Sequence, residues 1–427
     1  MRSRKAGPAA LTAILYFSVS GGAYGLETLV SSVGPAMAVS LLFLTPLLVS
    51  LPTALMVAEL STAMPVEGGF YRWVDRALGR FWAFQEAWWS WTCSLPDMAI
   101  YPVLFAGYLG EAFRMDPGQR YVVALLMIWT CTLLNLLGIR AVGATALVSL
   151  VFVVIPFLLF SLLALRQPGQ ILWSLPGESA SLLTGLSVVL WNYTGWDNIS
   201  LVGEEVENPQ RSYPIALFAA LALIVTMYAG PVLAGLRVAP DPAAWTEGAF
   251  PTFALALPNA GWLSGWLLAG ALVSTFTLFN SLLLSYSRLP MVVAADGMLP
   301  GWLARVDARG VPAASVVASA VVYSVLAAFG FSKLVVMYVL LYTLSILLEF
   351  VSLWRLRRLE PALPRPFRIG WGNWGLGLVT VPSLAIGIAV VAYTFWDNRG
   401  NATWLAAAAT ASLAGMPLYW VLAKKKS

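Results

Sequence analysis

The chain has 427 residues, 59% hydrophobic and 11% charged, with 25 Lys+Arg against 20 Asp+Glu and no histidine. Soluble domains carry about 25% charged residues, and the apolar runs here are long enough to cross about 30 Å of hydrocarbon, so a soluble protein is excluded. A net charge of +5 would suit a nucleic-acid surface, but the basic residues cluster at the ends of the apolar runs, so no nucleic-acid partner is expected.

Twelve membrane helices are expected, at about 9–33, 36–63, 82–112, 120–139, 143–166, 181–206, 213–236, 260–289, 312–330, 332–354, 374–396 and 402–423. The first run follows basic residues and lacks a cleavage-site pattern, so it reads as a retained helix and not a signal peptide. With both termini cytoplasmic, 19 of the 25 Lys and Arg residues fall on the inner side, which fixes that orientation and a cell-membrane location as expectations. Lys424–Lys426 would meet anionic lipid headgroups of the bilayer.

Inside the first span, SVSGGAYGLETLV (18–30) places Gly21, Gly22 and Gly25 together and then Glu27. Glycine weakens a helix interior, and an ionisable group within a span marks function. Residues 64–80, MPVEGGFYRWVDRALGR, are too polar to span and too aromatic for a free linker, so they predict a short cytoplasmic-side helix against the bundle. The third span carries WTCSLPDMAIYP, where Pro96 can kink the helix and turn Asp97 toward a cavity. The sixth span repeats the pattern of the first in LWNYTGWDNISLVGEEVENPQR (190–211), with Gly195 followed by Asp197. Matching interruptions in two halves point to an inverted-repeat transporter with a midplane site. The repeats would cover about 9–166 and 181–354, with helices 11 and 12 at about 374–423, in one transmembrane domain. A prolyl-rich stretch at 237–258 would cap the outer side.

The expected site takes backbone groups from Gly21, Gly22, Ala23, Tyr193, Thr194 and Gly195, walls from Tyr24, Tyr101, Trp191 and Trp196, and carboxylates from Glu27, Asp97 and Asp197. Freed amides attract anions and freed carbonyls attract cations, so the breaks suit a zwitterion or a cation. Aromatic faces add about 0.5–2 kcal/mol each for a cation. Each group also has a structural reading: close helix packing for the glycines, an interfacial carboxylate for Glu27, a hydrogen bond for Asp97, and a half-helix cap for Asp197. Trp88, Trp89 and Trp91 read chiefly as packing. Glu204 and Glu205 read as a gate or loop anchor, and Glu27 or Asp97 as the proton carrier. Cys93 and Cys131 lie in apolar segments and offer no disulfide framework. No metal-ligand cluster or nucleophile elbow is present, so neither a cofactor nor enzyme chemistry is expected.

These motifs resemble the amino acid–polyamine–organocation superfamily of secondary transporters over essentially the whole chain. GWDNISLVGEEVENPQRSYPIAL is similar to its sixth-helix signature, VAELSTAMPVEGGFYRWVDRALG to its second-helix exit, AADGMLPGWLARVDARGVP to the loop after helix eight, and RLRRLEPALPRPFRI to the loop after helix ten. VSGGAYGLE and PDMAIYPVLFAGYL resemble the plant and protist polyamine:proton symporter group within it. The resemblance implies a LeuT-like fold with discontinuous helices 1 and 6, and uptake of a cationic amine coupled to protons, with sodium the lesser expectation. In that group Glu27 and Asp97 would suit the amine, whereas Asp197 belongs to the wider superfamily. Two departures stand out. FNSLLLSYSR (279–288) lacks the acids that the group carries in helix eight, and the fifth helix lacks the lysine of several amino-acid members. An amino-acid transporter on the same fold is therefore the nearest alternative, and a membrane scaffold or sensor that binds without moving its ligand is another.

Overall fold

The computed structural model describes residues 7–423 apart from 67, 137–141, 175–180, 287, 296, 298, 307–310 and 401. All regular structure among the described residues is helical. Helix α1 (Pro8–Val19) stops at Ser20, and α2 (Glu27–Thr45) begins seven residues later. Between them Gly22 and Gly25 adopt φ of 103° and 88°, a region that side chains with a Cβ avoid. The expected interruption of the first span is therefore a real break. Gly34 (φ 75°, ψ 163°) then bends α2 sharply ahead of Pro35, at the place where the second span is expected to start.

A π turn at Pro46–Ser50 leads into α3 (Leu51–Ala63), and the amphipathic α4 (Gly69–Leu78) follows with Phe70, Trp73, Val74 and Ala77 buried. The expected short helix over 64–80 is thus present and packs on the bundle. Helix α5 (Arg80–Phe113) runs 34 residues through Pro96 and Pro102. Next come α6 (Pro117–Leu136) and α7 (Val142–Leu165).

The second break separates α8 (Leu182–Asn192) from a 3₁₀ segment at Trp196–Glu205, with Gly195 at φ 97°. Helix α9 (Pro209–Val238) crosses back, and the 239–260 stretch folds into a short turn at Pro242–Ala244 and α10 (Phe250–Leu255). There Trp245, Phe250 and Phe253 stack edge to face or tilted, and Phe250 also meets Phe157 of α7. The remaining helices are α11 (Gly261–Tyr286), α12 (Arg288–Ala295), α13 (Ala313–Leu326), α14 (Phe331–Leu359), α15 (Gly372–Asp397), α16 (Ala402–Leu413) and α17 (Gly415–Ala423).

Seven runs among the described residues are long and apolar enough to cross a membrane, Glu27–Ala63 and Phe331–Leu359 among them. Large apolar side chains such as Leu126, Val148 and Leu378 remain exposed on the outside of the bundle, as a lipid-facing surface requires. The chain is a multi-pass membrane protein. Helix α5 packs chiefly on α14, α8 of the second break packs on α14 and on α2, and α1 packs chiefly on α9.

Candidate functional site

The two breaks touch. A Cβ on Gly195 would stand 2.6 Å from the Ser18 carbonyl oxygen, so only glycine lets the sixth-span break approach the end of α1. A narrow cleft of about 30 Å³ lies against this junction, lined by Phe17–Gly21 and Tyr24 from the first break, Trp191, Asn192 and Thr194 from the second, and residues of α5, α11 and α14.

Among the described residues, Asp97 is the carboxylate that lines the cleft. Its Oδ1 accepts from Trp191 Nε1 at 2.9 Å and its Oδ2 from Tyr286 Oη at 3.2 Å. Among the described residues no Lys or Arg pairs with it. The Tyr101 ring lies 6.1 Å from that of Trp191, on the same wall. Tyr24 anchors its hydroxyl on the Leu267 carbonyl at 2.8 Å, and Gly21 offers its carbonyl to Ser274 Oγ at 2.6 Å. A Cβ on Gly21 would meet Leu278 and that same hydroxyl, so this glycine is set by close approach to α11. Ser274 and Thr275 both line the cleft, and Thr275 Oγ1 donates to its own helix at Ala271. Thr194 shares a hydrogen bond of 3.1 Å with Tyr338 Oη.

Other expected residues lie off the cleft. Glu27 is fully buried, takes the Tyr108 hydroxyl proton in a hydrogen bond, and accepts from the Gly25 amide at 2.8 Å. It thereby ties the start of α2 to α5, and the structure separates it from Asp97. Gly22 packs toward Val153 and Phe157, and Ala23 is buried beside it. Tyr193 and Trp196 are buried too: Tyr193 donates to the Leu42 carbonyl, and Trp196 Nε1 donates to the Tyr193 carbonyl. Both brace the break and do not face the cleft. Asp197 accepts from Tyr342 Oη at 2.6 Å, and that same hydroxyl accepts from the Gly195 amide at 3.3 Å, so a tyrosine on α14 ties Asp197 to the backbone of the break. The side chains of Glu204 and Glu205 lie outside the described residues.

Tyr286 and Tyr338 were not expected from the sequence, nor was Asn198. The spacing 338, 342, 345, 349 does put Tyr338, Tyr342, Ser345 and Glu349 on one buried face of α14, a polar stripe visible in the sequence.

Residues 10–421 match the amino acid permease family. The chain belongs to that family. A probable polyamine transporter of Arabidopsis thaliana is 35% identical over 395 residues, covering 91% of this chain and 79% of its own length. The polyamine transporter PUT1 of Oryza sativa subsp. japonica is 35% identical over 384 residues, 88% of this chain and 72% of its own. The polyamine transporter RMV1 of Arabidopsis thaliana is 33% identical over 392 residues, 90% and 79%. The permease thus sits within the amino acid–polyamine–organocation superfamily of transporters.

Proposed function

We propose that this permease moves a small organic cation, a polyamine or a related amine, across the cell membrane by alternating access, with protons as the coupling ion. The observation that carries the reading is Asp97. It faces the cleft between the two broken helices, is held by two neutral donors, and has no basic partner among the described residues. A carboxylate kept at membrane depth in this way is a ready partner for an ammonium group, and the rings of Trp191 and Tyr101 beside it favour a cation further. The names of the relatives agree with an amine substrate. Twelve spans in a 5+5 inverted repeat, with both termini cytoplasmic, are the architecture we assign. Gly21 and Thr194 would supply backbone and hydroxyl contacts, and Glu204 and Glu205 would anchor or gate the inner loop.

A second reading has its own support. Among the described residues one carboxylate lines the cleft, because Glu27 and Asp197 are held elsewhere, and a single acid meets a single ammonium as well in an amino acid as in a diamine. Uptake of labelled putrescine and spermidine into proteoliposomes, against a panel of amino acids and with or without an inward proton gradient, separates the two. Gradient-driven diamine uptake that amino acids do not compete for supports the amine reading. Amino-acid uptake indifferent to polyamines overturns it.

A further inference from the structure

Away from the cleft, two acids are buried between α5 and α14 that no part of the substrate reading uses. Glu86 and Glu349 are both fully buried, at 0% exposure. Glu86 Oε1 accepts from Ser345 Oγ and, at 3.1 Å, from Ser90 Oγ, while the two hydroxyls stand 2.9 Å apart. Its Oε2 has no hydrogen-bond partner, and neither oxygen of Glu349 has one. Glu349 follows Ser345 by one helical turn, so it lies on the face of α14 that reaches Glu86. One turn before Ser345, Tyr342 on that face holds Asp197 at 2.6 Å. The same register runs along α5 through Glu86, Ser90, Cys93 and Asp97, placing Glu86 about 16 Å along the helix from the acid of the cleft.

Two ionised carboxylates in this setting would be stripped of water, repel one another and leave three oxygens without a donor, the costliest state available to them. A proton on a carboxyl removes the charge and supplies the missing donor. Full burial leaves no opening for an ammonium group. The titratable groups whose charge acts on the pair are Asp197, Tyr342 and Cys93. The charged residues of α4, which packs on both helices, are engaged elsewhere: Arg76 binds Glu360, Arg72 lies over the Tyr71 ring, and Asp75 is partly exposed.

We infer that Glu86 and Glu349 form a proton-holding carboxyl pair, linked through Tyr342 to Asp197 and the sixth-span break, and that this pair is where proton movement joins the transport cycle. While α5 and α14 are closed on it, the pair keeps its proton. When the helices shift and water enters, the carboxyl ionises and the proton passes to water. The inference rests on the proton-coupled reading above, and the test keeps the two apart.

Glu349→Gln and Glu86→Gln, each nearly isosteric and neutral, are compared with the unmodified protein in proteoliposomes. Exchange of labelled amine at equal concentrations on both sides should persist in the variants. Accumulation driven by a proton gradient should fall about ten-fold, within the usual range for coupled sites. Accumulation at the unmodified level in both variants overturns the inference. Infrared spectroscopy of the purified proteins supplies a readout independent of flux. A protonated-carboxyl band at neutral pH that weakens in each variant supports the pair, and a spectrum unchanged in both overturns it. An unmodified protein that ignores the gradient would overturn the coupling role together with the proton-coupled reading, leaving the infrared band to decide whether the pair holds a proton at all.

Discussion

At the scale of single residues, Asp97 and Gly195 carry opposite kinds of evidence. Asp97 is placed by what it accepts, an indole N–H and a phenol, and it lines the cleft. Asp97→Asn keeps the size and loses the charge. Amine uptake should drop about ten-fold or more, on the scale of losing one partner of a desolvated pair, with the melting temperature in detergent unchanged. Full uptake would remove Asp97 from the site. Gly195 is placed by sterics. At φ 97°, alanine would be strained by about 1–2 kcal/mol and its Cβ would press on the Ser18 carbonyl at 2.6 Å. Gly195→Ala should therefore lower both uptake and melting temperature, whereas Gly261→Ala, where nothing lies within 4 Å, should alter neither. Equal behaviour of the two variants would mean that the breaks do not need their close approach. Glycine followed by a carboxylate made both breaks legible in the sequence. The partners of Asp97 were not, because Trp191 and Tyr286 come from positions 94 and 189 residues away.

At the scale of elements, signatures far apart in the chain close on one ion-pair knot. Glu59 of α3 accepts from Arg357 Nε at 2.7 Å and from the Ile369 amide at 2.8 Å, and lies 3.4 Å from Arg365 Nε. These side chains are nearly inaccessible, at 0% for Glu59 and 6% for each arginine. The loop after α14 is thereby locked to the end of α3, next to α4. Breaking one side of a buried pair costs about 3–5 kcal/mol, since the remaining charge stays buried. Glu59→Gln should give a large fall in melting temperature, and Glu59→Leu combined with Arg357→Met should recover part of it. No fall in the single variant would show that the knot adds nothing to stability. The two loop motifs were readable as signatures, but their meeting was not. The span order puts both loops on the inner side, but which inner loops touch is decided by packing.

At the scale of the whole molecule, the segment joining α9 to α11 adds a pH-dependent contribution. Burial raises the Glu247 carboxyl from its usual 4.5 to about 7, the nearby Glu27 raises it further, and Arg120 opposes both. A carboxyl whose folded value lies above its unfolded value favours folding while protonated. The associated stability is complete below about pH 4.5 and is lost as the pH rises toward about 7. Melting temperature should therefore decline across that window, and Glu247→Gln should flatten the decline. A slope identical in the variant would assign the pH dependence to other groups. Glu247 also rests against Gly107 of α5, so the cap and the long third-span helix are in contact at that point.

The sequence by itself determined the solvent and the breaks: apolar runs admit no environment but a bilayer, and glycines within them, followed by acids, mark where helices must open onto a cavity. It also determined the short α4, since 64–80 is too polar to span and too aromatic for a free linker. Only the tertiary structure decided which carboxylate faces the cleft. Glu27, Asp97 and Asp197 are alike in sequence, each an acid close to a break or kink. They differ because a buried acid is defined by its donors, and those donors come from other helices: Tyr108 takes Glu27, Tyr342 takes Asp197, and Trp191 with Tyr286 leaves Asp97 facing the open space.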